Sequence, residues 1–406
     1  MSLIRNNHNK YDTYLLLLIV STIFGGIGGA LTIPRVLGIL LAPRLFNIFK
    51  REKPTYFSSI KSWAIAFYIF ALVSMLWTPD KVEGFKELIY YPIHFLIFLE
   101  VVIFSQKAFN PLGYITLGVI LCVFLTSIVG FWELITDNHL AYSALDEASA
   151  STMNGEVIIR KFAAVTFYNL NGYVTYLCLF FPFLLYGMGM ITEINFIRRL
   201  SIVALIISVV LILCNASRGG LLTLIICVAI YFLMVPKSKS IIFSFVVFIS
   251  IIAFLLYKFG DSILLVLSMR VSEGGLVSDD SRFVIWGNAL NVFVDYIGLG
   301  CGIGGMQIAM AKFANGGITI THNIFLEILC QYGLVFCIAF IKSLYNLLRK
   351  GWNLYDKNRR LLVTIFILSF PMTGIINSGY LLDPHLFIVL ASIYVFANYE
   401  RIRPVY

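Results

Sequence analysis

Charge is scarce in this 406-residue chain: Asp, Glu, Lys and Arg make up 13% and hydrophobic residues 60%, where a soluble domain carries about 25% and about 45–50%. So little polar side chain cannot cover a water-facing surface. This excludes a soluble globular enzyme, a disordered chain and a coiled coil. Cysteine is sparse as well, with seven in all and no CxxC. Six of them (Cys122, Cys178, Cys214, Cys227, Cys330 and Cys337) fall in apolar stretches, and only Cys301 lies in a loop. That excludes a disulfide framework and gives no zinc signature. No acidic group has metal-ligand spacing, so neither metal nor cofactor is expected. What abounds is apolar: 35 Phe, 22 Tyr and a mean hydropathy of +0.90. The apolar runs are continuous rather than alternating, which predicts an all-α polytopic integral membrane protein.

A hydrocarbon layer of about 30 Å needs roughly 20 apolar residues per helix. About twelve stretches qualify, near 14–33, 35–49, 61–77, 86–106, 111–135, 168–190, 200–216, 219–235, 240–257, 322–348, 361–377 and 385–399. The second is weakest, being short and holding Pro43 and Arg44. Residues 14–33 read as a span, not a cleavable signal peptide. Most Lys and Arg residues, including Lys50, Arg51, Arg198, Arg199, Arg349, Lys350, Arg359 and Arg360, lie on the side that holds both termini. By the positive-inside rule that side is cytoplasmic. The net charge of +9 is thus an orientation signal, and nucleic acid is not an expected partner. Two long loops, about 136–167 and 258–321, face outward. In the second, Phe283, Trp286, Leu290 and Phe293 recur at helical spacing, predicting an amphipathic helix on the outer interface.

Several features fall on the outer side near membrane level. Ser217-Arg218-Gly219-Gly220 forms a turn between two spans, the glycines permitting a tight reversal. Arg218 is costly there unless it snorkels or meets an anion. Ser278-Asp279-Asp280-Ser281-Arg282 opens the amphipathic helix, with Ser281 or Asp280 as its N-cap and Arg282 in the first turn. The arginine either pairs with Asp279 or Asp280 or joins the free N–H groups in binding an anion. His322-Asn323 stands at the mouth of the tenth span, where a histidine is either a cap or a general base. Arg160-Lys161 is either plain loop or further positive charge. Gly300, Gly302 and Gly305 fit GxGxxG, but without a βαβ context they do not indicate nucleotide binding.

With Thr166-Phe-Tyr-Asn-Leu-Asn171, Ser217-Arg-Gly-Gly220, Ser281-Arg-Phe-Val-Ile-Trp286, Gly298-Leu-Gly300, His322-Asn323 and Gly333 in that order, the chain resembles the bacterial O-antigen ligase and polymerase superfamily from about 160 to 340. The resemblance implies a GT-C-like membrane glycosyltransferase, here a single polytopic domain over 1–406, acting on undecaprenyl-pyrophosphate-linked glycan. It implies that Arg218, Arg282 and Arg160 engage the pyrophosphate and that His322 activates the acceptor hydroxyl. Asn323, Ser217 and Asn171 support them, and the reaction is inverting and needs no metal. Arginine forks suit such a leaving group, because they offer fixed positive charge bidentately where negative charge accumulates. The expected place is the inner membrane, with the site facing the periplasm. Expected partners are the lipid-linked donor, a glycan or lipid A core acceptor, the bilayer and a chain-length regulator protein.

Three activities compete. A polymerase joins lipid-linked repeat units of O-antigen or capsule. A ligase transfers finished glycan to lipid A core or another acceptor. A flippase moves the lipid-linked unit. The ligase pattern has Gly, Thr or Tyr where Phe336 stands, which favours the polymerase. Glu100, Glu133 and Glu327 are isolated near span ends and no two related halves are visible, which disfavours transport.

Overall fold

The structure, a computed structural model, describes residues 9–26, 29–51, 57–140, 150–153, 156–159, 161–189, 195–235, 275–314 and 317–402. These form helices α1 (Lys10–Ser21), α2 (Ile33–Arg51), α3 (Phe57–Ser74), α4 (Lys81–Lys107), α5 (Pro111–Thr136), α6 (Leu170–Gly189), α7 (Asn195–Cys214), α8 (Arg218–Met234), α9 (Gly275–Asp295), α10 (Met306–Ala314), α11 (Ile324–Trp352), α12 (Lys357–Thr373) and α13 (Pro384–Ile402). By length and composition α4, α5, α6, most of α7 and α11 are able to cross a membrane. The expected span at 240–257 lies outside the described residues. The first long loop is not wholly irregular: β1 (Ala150–Met153) and β2 (Glu156–Ile159) pair antiparallel, Ala150 opposite Ile159.

Local chemistry starts many of these helices. Asn9, Asp80, Asn110, Ser217, Asn323 and Asp356 each accept backbone N–H groups of the following first turn. Each satisfies donors that the helix leaves orphaned. At the centre stands α6, apolar all round and buried along nearly its whole length, as a helix enclosed by others must be. It packs on α5, α7, α8 and α12. Phe180, Phe181, Phe183, Phe366 and Phe396 belong to one hydrophobic cluster reaching from Leu15 to Ala397.

Two expectations need correction. The apolar run at 14–33 is not one helix, since α1 passes into a 3-10 turn at Thr22–Phe24 and ends. A Cβ on Gly26 would lie 2.2 Å from the Thr166 carbonyl oxygen, so another segment crosses there at backbone contact. The outer helix is longer than its motif implied. Because α9 begins at Gly275, Arg282 is not in the first turn, and a cap at Ser281 or Asp280 is ruled out. Ile285, Ala289 and Val292 face the protein, while Phe283 and Leu290 of the aromatic stripe are exposed. The small Ala289 lets α9 lie close to α11, where the Cys330 thiol donates to the Ala289 carbonyl at 3.1 Å.

The glycine-rich turn also has a clear use. α11 is interrupted at Gly333 (φ 77°, ψ −177°), and there the 298–302 segment pairs with it. Cys301 N donates to Cys330 O at 2.7 Å, Gly302 N to Gln331 O at 3.0 Å, and Leu334 N to Gly298 O at 3.0 Å. A Cβ on Gly300 would sit 2.6 Å from Gly333 N, and one on Gly333 would sit 2.5 Å from Leu299 O. Only glycine fits two backbones this close. Phe336, a turn further on, packs against Phe67 and Phe70.

Candidate active site

The turn after α12, residues 374–380, is a strap on which the motif segments converge. Ile324 N, at the start of α11, donates to Gly374 O at 2.9 Å. Arg282 Nη1 donates to Ile375 O at 3.1 Å. A Cβ on Gly219, beside Arg218, would lie 3.0 Å from Ile376 Cγ1, and one on Gly172, beside Asn171, would lie 3.5 Å from Asn377 Nδ2. Glu327, buried in the first turn of α11, accepts from Gly379 N at 2.7 Å and Tyr380 N at 3.2 Å. The strap is closed on itself by Tyr380, whose hydroxyl donates to Thr373 O at 2.6 Å and accepts from Asn377 N at 3.0 Å.

Strain marks the same places. Five described non-glycine residues have positive φ, among them Val165, Ala216, Ile297 and His322. These four stand at the openings of the segments 166–171, 217–220, 298–300 and 322–323. Such conformations cost on the order of 1–3 kcal/mol each and persist where the surroundings enforce them, commonly at functional sites. At Val165 the enforcement is visible. Glu133 Oε2 accepts from Ala164 N at 2.7 Å and Val165 N at 2.8 Å, while Asn215 Oδ1 accepts from Ala163 N at 2.7 Å. Asn215 is followed directly by Ala216 and the Ser217–Arg218 turn, so the two segments are locked together.

His322 (φ 47°) is half-buried just outside α11, and Asn323 caps that helix, accepting from Phe325 N at 3.0 Å and Leu326 N at 3.3 Å. Next to it, Trp286 Nε1 donates to Thr321 O at 3.0 Å, so α9 holds the segment that presents the histidine. Nδ1 of His322 is buried and has no hydrogen-bond partner among the described residues. Burial lowers the ring's pKa below the ordinary histidine value, and the Arg282 charge lowers it further. The ring is therefore neutral at neutral pH, with a lone pair available.

The structure thus groups His322, Asn323, Arg282, the Ser217–Arg218 turn and Asn171 around one strap. Arg218 is the first residue of α8, and Ser217 caps it by accepting from Gly220 N. The glycines do not make the reversal, which falls at Ala216 (φ 45°). Gly220 instead lets α8 approach α6, since a Cβ there would meet Val174 Cγ1 at 2.5 Å. Arg160 and the side chains of Asp279 and Asp280 lie outside the described residues. The strap itself carries no sequence signature, and neither did the roles of Glu133, Asn215 and Glu327. A buried carboxylate at a span end was the available signal. Among the described residues no group of three or more His, Cys, Asp or Glu side chains is placed to hold a metal ion.

Comparison with known proteins bears on this grouping. Residues 203–341 match the family model described as O-antigen ligase, a stretch that holds Arg218, Arg282, His322 and Gly333 but ends short of the strap. The chain is 25% identical over 325 residues to the teichuronic acid biosynthesis protein TuaE of Bacillus subtilis (strain 168), covering 77% of this chain. It spans 65% of that relative's length. Both findings support the O-antigen ligase and polymerase superfamily, the one that the ordered motifs resemble.

Proposed function

We propose that this protein is a glycosyltransferase that polymerises lipid-linked repeat units of a cell-surface polysaccharide. The observation that carries the reading is the neutral, unpartnered His322 ring beside Arg282 on a strap shared with the Arg218 turn. In the proposed step an acceptor hydroxyl attacks the anomeric carbon of an undecaprenyl-pyrophosphate-linked glycan. The bond from that carbon to the phosphate oxygen breaks on the opposite face, inverting the centre. The hydroxyl proton passes to His322, and the pyrophosphate leaves with the bonding pair, its charge met by Arg282 and Arg218. Arg160 adds to the same positive field. No metal is required, since fixed guanidinium groups supply the countercharge.

Around this chemistry we place a single domain of about twelve spans in the inner membrane, its site facing the periplasm and both termini the cytoplasm. The partners are the lipid-linked donor, the growing glycan and a chain-length regulator. The relative's name, a teichuronic acid biosynthesis protein, supports a biosynthetic step on a glycan. The family model's description supports a second reading, transfer of finished glycan to lipid A core or another acceptor. Phe336, standing where the ligase pattern has Gly, Thr or Tyr, favours the polymerase.

Purified protein in proteoliposomes with a lipid-linked repeat unit tests both. A product ladder on the carrier lipid establishes the polymerase. Transfer to an added acceptor without lengthening establishes the ligase. Lipid movement without a new glycosidic bond would refute both.

A further inference from the structure

Against the end of the strap lies a cavity of about 170 Å³, lined by Ser378 and Gly379 but not by Arg282. Its walls are the start of α4, the start of α10, Ile320, the first turns of α11 and residues 378–382. Three of these walls are close along the chain to the reaction site: Ile320 is two residues before His322, Glu327 is four residues past Asn323, and Ser378 follows Ile375, which holds Arg282, and Ile376, which borders Gly219. At roughly 30 Å³ per water the volume holds about six waters, the space of one sugar ring.

The lining is unlike that of the arginine side. Its hydrogen-bonding side chains are the carboxyls of Asp80, Glu83, Glu87 and Glu327, the Gln307 and Gln331 amides, the Tyr91 phenol and the Ser378 hydroxyl, interleaved with apolar side chains; no Lys or Arg lines it, although Glu83 pairs with Lys86 at 2.7 Å at its edge. Several are held fixed. Glu87 is buried and accepts from Tyr91 OH at 3.1 Å, Gly304 N at 3.1 Å and the Gln331 amide. Rigid, already oriented polar groups in a small partly apolar cleft suit a ligand rich in hydroxyls. The strap separates the two chemistries. It turns the Ile375 carbonyl toward the arginine and the N–H groups of Gly379 and Tyr380 toward Glu327. An anionic group therefore gains beside the arginine, whereas in the cavity it meets acceptor oxygens and no lining cation.

We infer that this cavity is the acceptor subsite, taking a terminal sugar that bears hydroxyl or amino groups and neither carboxylate nor phosphate. The inference rests on the glycosyl-transfer reading for its name, and its ligand class rests on the cavity alone.

The test therefore measures binding without turnover. The full chain in nanodiscs, without donor lipid, is titrated with the methyl glycosides of a neutral hexose disaccharide, an amino-sugar disaccharide and a glucuronosyl disaccharide, followed by ligand-observed NMR. Two variants sit at the cavity wall away from the reacting groups: Gln307→Trp, which fills the mouth, and Glu83→Lys, which reverses its charge. The wild type should bind the neutral and amino sugars at least about tenfold more tightly than the glucuronosyl one. Gln307→Trp should weaken all binding by a similar factor, and Glu83→Lys should narrow the preference. Because no donor is present and no turnover is read, a failed reaction mechanism would leave this result standing. The inference is overturned if none of the sugars binds, if the glucuronosyl sugar binds as tightly as the neutral one, or if Gln307→Trp binds normally.

Discussion

Replacing His322 by glycine separates chemistry from folding in a way that few catalytic substitutions allow. The residue combines a free ring nitrogen with a backbone at φ 47°. If the ring is the general base, its loss removes roughly 10²–10⁴-fold in turnover, or about 3–5 kcal/mol at 1.36 kcal/mol per decade. The backbone argues in the other direction. An L-residue in the left-handed region costs about 1–2 kcal/mol, and glycine has no such cost. The half-buried ring gives up some packing, so the two effects largely offset. His322→Gly should therefore be nearly inactive and as heat-stable as the wild type. His322→Asn, tolerant of the same conformation, should match it in both respects. His322→Val, β-branched and ill-suited to positive φ, should be equally inactive but less stable. Turnover of lipid-linked glycan in proteoliposomes and thermal unfolding in detergent measure the two quantities. A glycine variant that turns over normally ends the assignment of the base. A valine variant as stable as the glycine one refutes the strain.

The acidic limb of kcat/KM should fall below about 6.5, the ordinary histidine value, because burial and Arg282 both lower the His322 pKa. Arg282→Gln should move that limb upward, and a limb that stays put in this variant would deny the coupling. Arg218→Lys and Arg282→Lys keep the charge but lose the fork, so each should cut turnover at saturating acceptor; wild-type rates in both would return these residues to packing roles. Glu133→Ala leaves the buried N–H groups of Ala164 and Val165 without their acceptor, at about 1–3 kcal/mol each, and should lower both the unfolding temperature and activity. Gly220→Val should cost about 1–3 kcal/mol by overpacking, since even a Cβ meets Val174 Cγ1 at 2.5 Å; unchanged thermal stability would show that α8 does not pack on α6 this closely.

Composition and local pattern determined the membrane class, the helical content, most helix positions and the segments around Asn171, Arg218, Arg282 and His322. These are short-range properties. An apolar run must be satisfied within its own helix, and caps such as Ser217 and Asn323 act on residues two or three places away. Tertiary structure decided which residues meet. Arg282 reaches a carbonyl 93 positions away and Glu327 an amide 52 positions away, and the partners in both cases are backbone groups, which every residue carries and no side-chain pattern announces. The contact of α9 with α11 was illegible for a related reason: aromatic spacing shows where bulk lies, but the small Ala289 is what lets α11 approach. Strain at Val165, Ala216 and His322 was equally invisible, because it is imposed by distant groups such as Glu133 and Asn215 rather than chosen by the residues that bear it.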